Sequence, residues 1–224
     1  NITRIKICCI SSWKEASMAI QCGANALGFV GQMPSGPGVI DDSKIRCLAG
    51  RVPPGVSSFL LTSETTVQGI IKHHQRVNTQ VLQLVDAIEQ SNYEKIRKAL
   101  PSTKLIQVIH VIDEKSIKEA QIAAQFVDSI LLDSGNPNLP IKELGGTGRR
   151  HNWALSAAIR DTIDIPMFLA GGLDPENVAE AIQQVRPFGV DLCSGVRTNQ
   201  QLDKEKLERF VEQVRITDRI DGGK

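Results

Sequence analysis

Eight short runs rich in Val, Ile, Leu and Phe alternate with longer amphipathic stretches from one end of the chain to the other, and no other feature constrains the fold as tightly. The strand candidates are residues 5–10, 26–30, 56–61, 79–84, 104–111, 129–132, 166–170 and 190–193. Each is followed by a segment with helical spacing, so the repeat is a βα unit. Eight units in 224 residues, with no linker, low-complexity tract or shift in composition, predict an α/β protein: one (β/α)8 TIM barrel domain spanning 1–224. A doubly wound sheet is the runner-up. It is disfavoured because no G-x-G-x-x-G follows the first strand, where a dinucleotide's pyrophosphate would need close backbone approach.

Composition narrows the partners. A hydrophobic content of 41% allows a substantial core, and 26 Lys and Arg against 25 Asp and Glu leave a formal charge of +1. No general basic field exists to attract nucleic acid or anionic lipid, so neither partner is expected and any anion must be bound locally. No apolar stretch approaches the roughly 18 residues of a membrane span, and Asn1 opens onto a strand-like segment, not a signal peptide. The five cysteines are odd in number and lack C-x-x-C spacing, which argues against a disulfide framework and a zinc site. A reducing cytoplasm is expected, with Cys9, Cys22, Cys47 and Cys193 as core residues.

Helix starts have local causes. Ser12 and Glu15 have capping-box spacing. Asp174-Pro175-Glu176 offers an N-cap acceptor, a fixed φ and an acid matched to the helix dipole. Asp203 is placed to cap the last helix, where Leu207, Phe210, Val211 and Val214 share one face.

Thiols end the first strand, at Cys8 and Cys9, and a carboxylate follows Leu131-Leu132 at Asp133. In a barrel the strand ends carry the catalytic groups, so a thiol and a carboxylate there suggest acid/base chemistry. Three glycine clusters follow: Gly145-Gly146-Thr147-Gly148, Gly171-Gly172 after strand seven, and Ser194-Gly195-Val196 after strand eight. Glycine lets backbone N–H groups approach a phosphate, and the corner after strands seven and eight is where a barrel binds one. The alternative for each cluster is a tight βα turn. The segment from Ser134 to Asn152 is too long for an ordinary connection and suits a lid or binding loop.

Taken in order, these segments resemble the phosphoribosylanthranilate isomerase family of tryptophan biosynthesis. The resemblance is carried by Lys6-Ile7-Cys8 with Ile10, Gly23 to Phe29, Gln83-Leu84, Leu131 to Ser134, Gly145 to Gly148 with Trp153, Leu169 to Leu173, Pro175 to Val178, and Gly189-Val190-Asp191 with Ser194-Gly195-Val196. It implies an Amadori rearrangement of an aminoaldose phosphate to an aminoketose phosphate with no cofactor and no metal. Cys8 matches the general base and Asp133 the general acid. The glycines Gly145, Gly146, Gly148, Gly171, Gly172 and Gly195, with Ser194, are expected to hold the phosphate of a sugar-phosphate substrate, and Gln83 and Arg149 to contact the substrate. A monomer or homodimer is expected. A thiol has a free pKa of about 8.5, so a base at Cys8 requires surroundings that favour the thiolate.

Three positions depart from the family pattern. Cys9 stands where the family has glycine, Gly38 where it has the arginine that reads the anthranilate carboxylate, and Val85 where it has histidine. Arg149 and Arg150 are candidate replacements for the missing cation. Two other readings stay open: an isomerase for a phosphoribosylamine with a different aglycone, and a sugar-phosphate-binding relative without catalysis.

Overall fold

The computed structural model describes residues 2–146 and 148–222. In chain order the elements are β1 (Arg4–Ile7), α1 (Trp13–Gln21), β2 (Ala26–Val30), α2 (Asp42–Ala49), β3 (Ser57–Thr62), α3 (Val67–Val77), β4 (Val81–Leu84), α4 (Gln90–Ala99), β5 (Lys104–His110), α5 (Lys115–Ala123), β6 (Ser129–Asp133), α6 (Trp153–Asp161), β7 (Met167–Leu169), α7 (Val178–Val185), β8 (Gly189–Leu192) and α8 (Lys204–Gly222). The strands pair in parallel in sequence order, and β1 pairs with β8 to close the barrel. This is the predicted (β/α)8 architecture. After β8 the chain makes a 3-10 turn (Ser194–Val196) and a small antiparallel hairpin, β9 (Arg197–Thr198) with β10 (Gln201–Leu202).

The strict alternation of side chains along a strand sorts each apolar run into two cores. Ile5, Ile7, Leu27, Phe29, Leu60 and Leu82 face outward and are sealed by the helices. Ala26, Val30, Phe59, Leu61, Val108 and Phe168 fill the interior. Phe59 and Phe168 meet edge to face, with ring centroids 6.2 Å apart. Gly28 on β2 makes room for the thiol at the barrel mouth, since a Cβ there would lie 2.9 Å from Cys8 Sγ.

The helix starts divide. Ser12 Oγ accepts from the Glu15 amide at 3.2 Å, as the capping spacing predicts, while the Glu15 carboxylate reaches back to the Ser11 N–H at 2.9 Å. Asp203 accepts from the amides of Glu205 and Lys206 at 3.1 and 3.2 Å. Leu207, Phe210 and Val214 are fully buried, with Val211 at the margin. Asp174 does not cap α7. It closes a turn by accepting from the Glu176 amide at 3.0 Å, and Asn177 is the cap residue, its side chain spanning from the Asp174 N–H to the Gly172 carbonyl.

Two expectations about cysteine are corrected. Cys47 is exposed and Cys22 and Cys193 are only partly buried, because α2, α1 and the β8 terminus present them at edges of the packed layers. And β1 ends at Ile7, not at residue 10, so both thiols lie just beyond the strand and not within its last residues. The φ of Cys9, 61°, lies in the left-handed region, which turns its side chain back toward the barrel mouth.

Candidate active site

The C-terminal ends of the strands enclose one cavity, and most of the residues singled out above line it: Cys8, Gln83, Asp133, Gly145, Gly146, Gly148, Gly171, Gly172 and Ser194. Thr147 lies outside the described residues. Cys8 follows β1 directly, and its amide still donates to Leu192 O at 2.9 Å, which fixes the thiol relative to β8. Asp133 is the last residue of β6. Its Oδ1 accepts from the Ser134 amide at 2.7 Å, while Oδ2 faces Gly145, where a Cβ would approach to 2.6 Å. One carboxylate oxygen is thereby held and the other is presented to the cavity.

Gly195 and Arg149 do not line the cavity. Gly195 packs the 3-10 turn against the loop after β7, where a Cβ would lie 2.0 Å from Leu173 O. Arg149 pairs with Glu143 on the surface, and Arg150 sits 4.0 Å from Asp174 with its guanidinium 5.7 Å from the Trp153 ring centroid. Neither arginine fills the place of a cation inside the pocket.

Four further residues shape the site. Lys6 and Asp191 are register partners on β1 and β8 and form an ion pair at 2.9 Å beneath Cys8, with Lys6 fully buried and its ammonium 5.2 Å from the Phe59 ring centroid. Burial opposes the charge on Lys6, but the carboxylate of Asp191, helped by Cys8, raises the ammonium above its ordinary value. Burial also pushes Asp191 up, against Lys6. The two directions pull apart, and the close contact favours the charged pair. Asp191 lines the cavity, and its Oδ1, like Gln83 Oε1, is a buried acceptor with no partner among the described residues. Such atoms invite a ligand's hydroxyl groups.

Arg197 donates to Cys8 O at 3.3 Å, to Cys9 O at 2.8 Å and to the Glu15 carboxylate at 2.6 Å, so it ties the turn after β1 to α1. His151 stands behind Gly171, its Nε2 at 2.7 Å from Ser156 Oγ. Burial lowers its pKa, countered by Asp133. A hydrogen bond to Cys193, another to Cys8 and burial push the Cys9 thiol well up, while Cys193 is pulled down by Cys9 first and by Arg197 against its burial.

The profile of N-(5'-phosphoribosyl)anthranilate isomerase matches residues 5–213. The chain belongs to this family. It is 34% identical over 215 residues to the N-(5'-phosphoribosyl)anthranilate isomerase of Methanothrix thermoacetophila, covering 96% of this chain and 99% of that one. The Methanosarcina acetivorans isomerase is also 34% identical, with 96% and 94% covered. Among solved structures, phosphoribosyl anthranilate isomerase from Thermotoga maritima superposes with a TM-score of 0.81 at 29% identity, covering 95% of this chain and 98% of that one. Another phosphoribosyl anthranilate isomerase structure, in complex with reduced 1-(o-carboxyphenylamino)-1-deoxyribulose 5-phosphate, gives 0.79 at 27% identity with the same coverage.

Proposed function

We propose that this protein converts N-(5'-phosphoribosyl)anthranilate to 1-(o-carboxyphenylamino)-1-deoxyribulose 5-phosphate, with Cys8 as general base and Asp133 as general acid. The observation that carries the reading is that thiol and carboxylate enter one cavity from β1 and β6, with glycine loops after β7 and β8 along one side.

The reaction needs two proton transfers. Asp133, held through Oδ1, gives a proton from Oδ2 to the furanose ring oxygen; the C1'–O bond breaks and the aryl nitrogen's lone pair forms a protonated Schiff base. Cys8 removes the C2' proton, and its electron pair flows toward C1' and the nitrogen to give an enolamine. Return of a proton to C1' and loss of the 2'-hydroxyl proton leave the ketone. The Lys6 ammonium lies beneath Cys8, held there by its ion pair with Asp191. Gln83 Oε1 and Asp191 Oδ1 accept from sugar hydroxyls, while amides of Gly171, Gly172, Ser194 and Gly148 bind the phosphate. Gly195 supports that turn from behind, and Arg149 acts at the rim, outside the pocket. The cytoplasm is the proposed compartment, in keeping with five unpaired thiols, one of them the base.

The test is fluorimetric. Ribosylated anthranilate fluoresces and the signal falls on isomerisation, so the purified protein should extinguish it, and Cys8→Ser and Asp133→Asn should each lower kcat by about two decades or more. An unchanged signal with the wild-type protein refutes the assignment.

A further inference from the structure

The cavity is divided by chemistry. Gly171, Gly172 and Ser194 of the loops after β7 and β8 line one end, whereas the ends of β2, β3 and β4 contribute Val30, Met33, Leu61 and Val85 beside Gln83, and the loop after β6 adds Leu144. The charged side chains lining it are the carboxylates Asp133 and Asp191; among the described residues no lysine, arginine or histidine lines it. Lys6 lies below and is paired with Asp191. Lys142 reaches Asp86 at 2.5 Å, and Arg149 bridges to Glu143.

Nor is a cation able to project from the loop after β2. Gly38 has φ +80°, and a Cβ there would lie 2.5 Å from Cys9 Cβ and 2.9 Å from Cys9 Cα. Cys9 in its left-handed conformation therefore opposes any side chain at position 38. The two positions interlock, and together they keep this wall uncharged.

We propose that the aryl half of the substrate is held by apolar contact alone, and that this protein isomerises N-(5'-phosphoribosyl)arylamines lacking the ortho-carboxylate about as well as the anthranilate compound. The inference rests on the isomerase reading above. The physical basis is simple: an aryl carboxylate placed against a wall of Val, Met and Leu loses hydration and finds no cationic side chain lining the cavity to pair with. A ring without that charge gains the same apolar burial. The proton transfers occur on the sugar and the nitrogen lends only its lone pair, so the chemistry is unchanged.

The experiment compares kcat/KM for the adducts of ribose 5-phosphate with anthranilate and with aniline, followed by chromatographic separation of substrate and product. A site that reads the carboxylate through a charge-assisted contact separates the two by about 10- to 100-fold. A ratio below about tenfold supports the proposal, and a larger preference for the anthranilate adduct overturns it. Calorimetric binding of the two reduced products applies the same threshold without turnover, so a protein that isomerises neither adduct refutes the isomerase reading while still deciding this one. Val85→Arg adds a second check. A guanidinium at this wall should raise the preference for the carboxylated product about tenfold or more in the same binding assay, and an unchanged preference in a folded variant overturns the placement of the ring.

Discussion

Replacing Gly38 with alanine perturbs the structure at a single, calculable point. An L-residue at φ +80° costs about 1–2 kcal/mol. The new Cβ would also stand 2.5 Å from Cys9 Cβ, a separation that real Cβ atoms essentially never show, and relief of such overpacking costs about 1–3 kcal/mol. The expected loss for Gly38→Ala is the total of the two, about 2–5 kcal/mol. In a Cys9→Gly background the nearer contact is gone, and glycine at position 9 frees the backbone to yield by the few tenths of an ångström that the remaining 2.9 Å approach to Cα requires. There the same substitution should cost little beyond the backbone term. Equilibrium urea unfolding of the wild-type protein, both single variants and the double variant gives the coupling directly, with an expected value of about 1–3 kcal/mol favouring the double variant over additivity. Additive effects within about 0.5 kcal/mol would refute the interlock between these positions.

Two further outcomes follow from charges inside the barrel. Lys6→Met strands the Asp191 carboxylate in the interior and should lower stability by about 3–5 kcal/mol in urea unfolding, whereas Lys6→Met with Asp191→Leu should recover most of that loss; a Lys6→Met protein as stable as the wild type contradicts the ion pair. Burial would raise the Glu15 carboxyl, but Arg197 and the amides of Ser11 and Leu202 bring it below its ordinary value of 4.5. A carboxyl depressed on folding contributes stability above its unfolded pKa and loses it as pH falls through the folded value, so the wild-type protein should weaken from about pH 4.5 downward more steeply than Glu15→Gln. Parallel acid titrations of the two proteins would dismiss that role.

The fold was legible because a closed parallel barrel writes itself as eight separated apolar runs, and all eight strand candidates overlap observed strands. Boundaries moved by a few residues where ladder geometry, not apolarity, ends the strand: the thiol of Cys8 belongs to an apolar run, but the chain turns at Cys9. Cys8, Asp133 and most glycines were found by their place at or after strand ends, and Gln83 by the family resemblance. Lys6 and Asp191 were not, because a charge inside an alternating strand reads as solvent-facing, and only closure of the ring turns those positions inward. Arg197 lies 182 residues from Glu15 in sequence, so nothing local signals their contact. The Cys9–Gly38 interlock depends on a left-handed backbone at a cysteine, which no residue pattern announces.

The β1–β8 seam bears on how the molecule acquires its activity. Its register pairs Arg4 with Gly189 and Ile7 with Leu192, joining the two most distant strands of the ring. Cys8 is positioned by Leu192 O, and Asp191 and Ser194 come from the last strand and the turn after it. A chain folded only through β7 therefore holds Asp133 in place, yet it leaves β1 with an unpaired edge and Cys8 without its neighbour. Closing such a loop is entropically costly and late in folding. Recovery of turnover during refolding should consequently report the final zipping of the ring, lagging behind the helical signal that the earlier βα units produce.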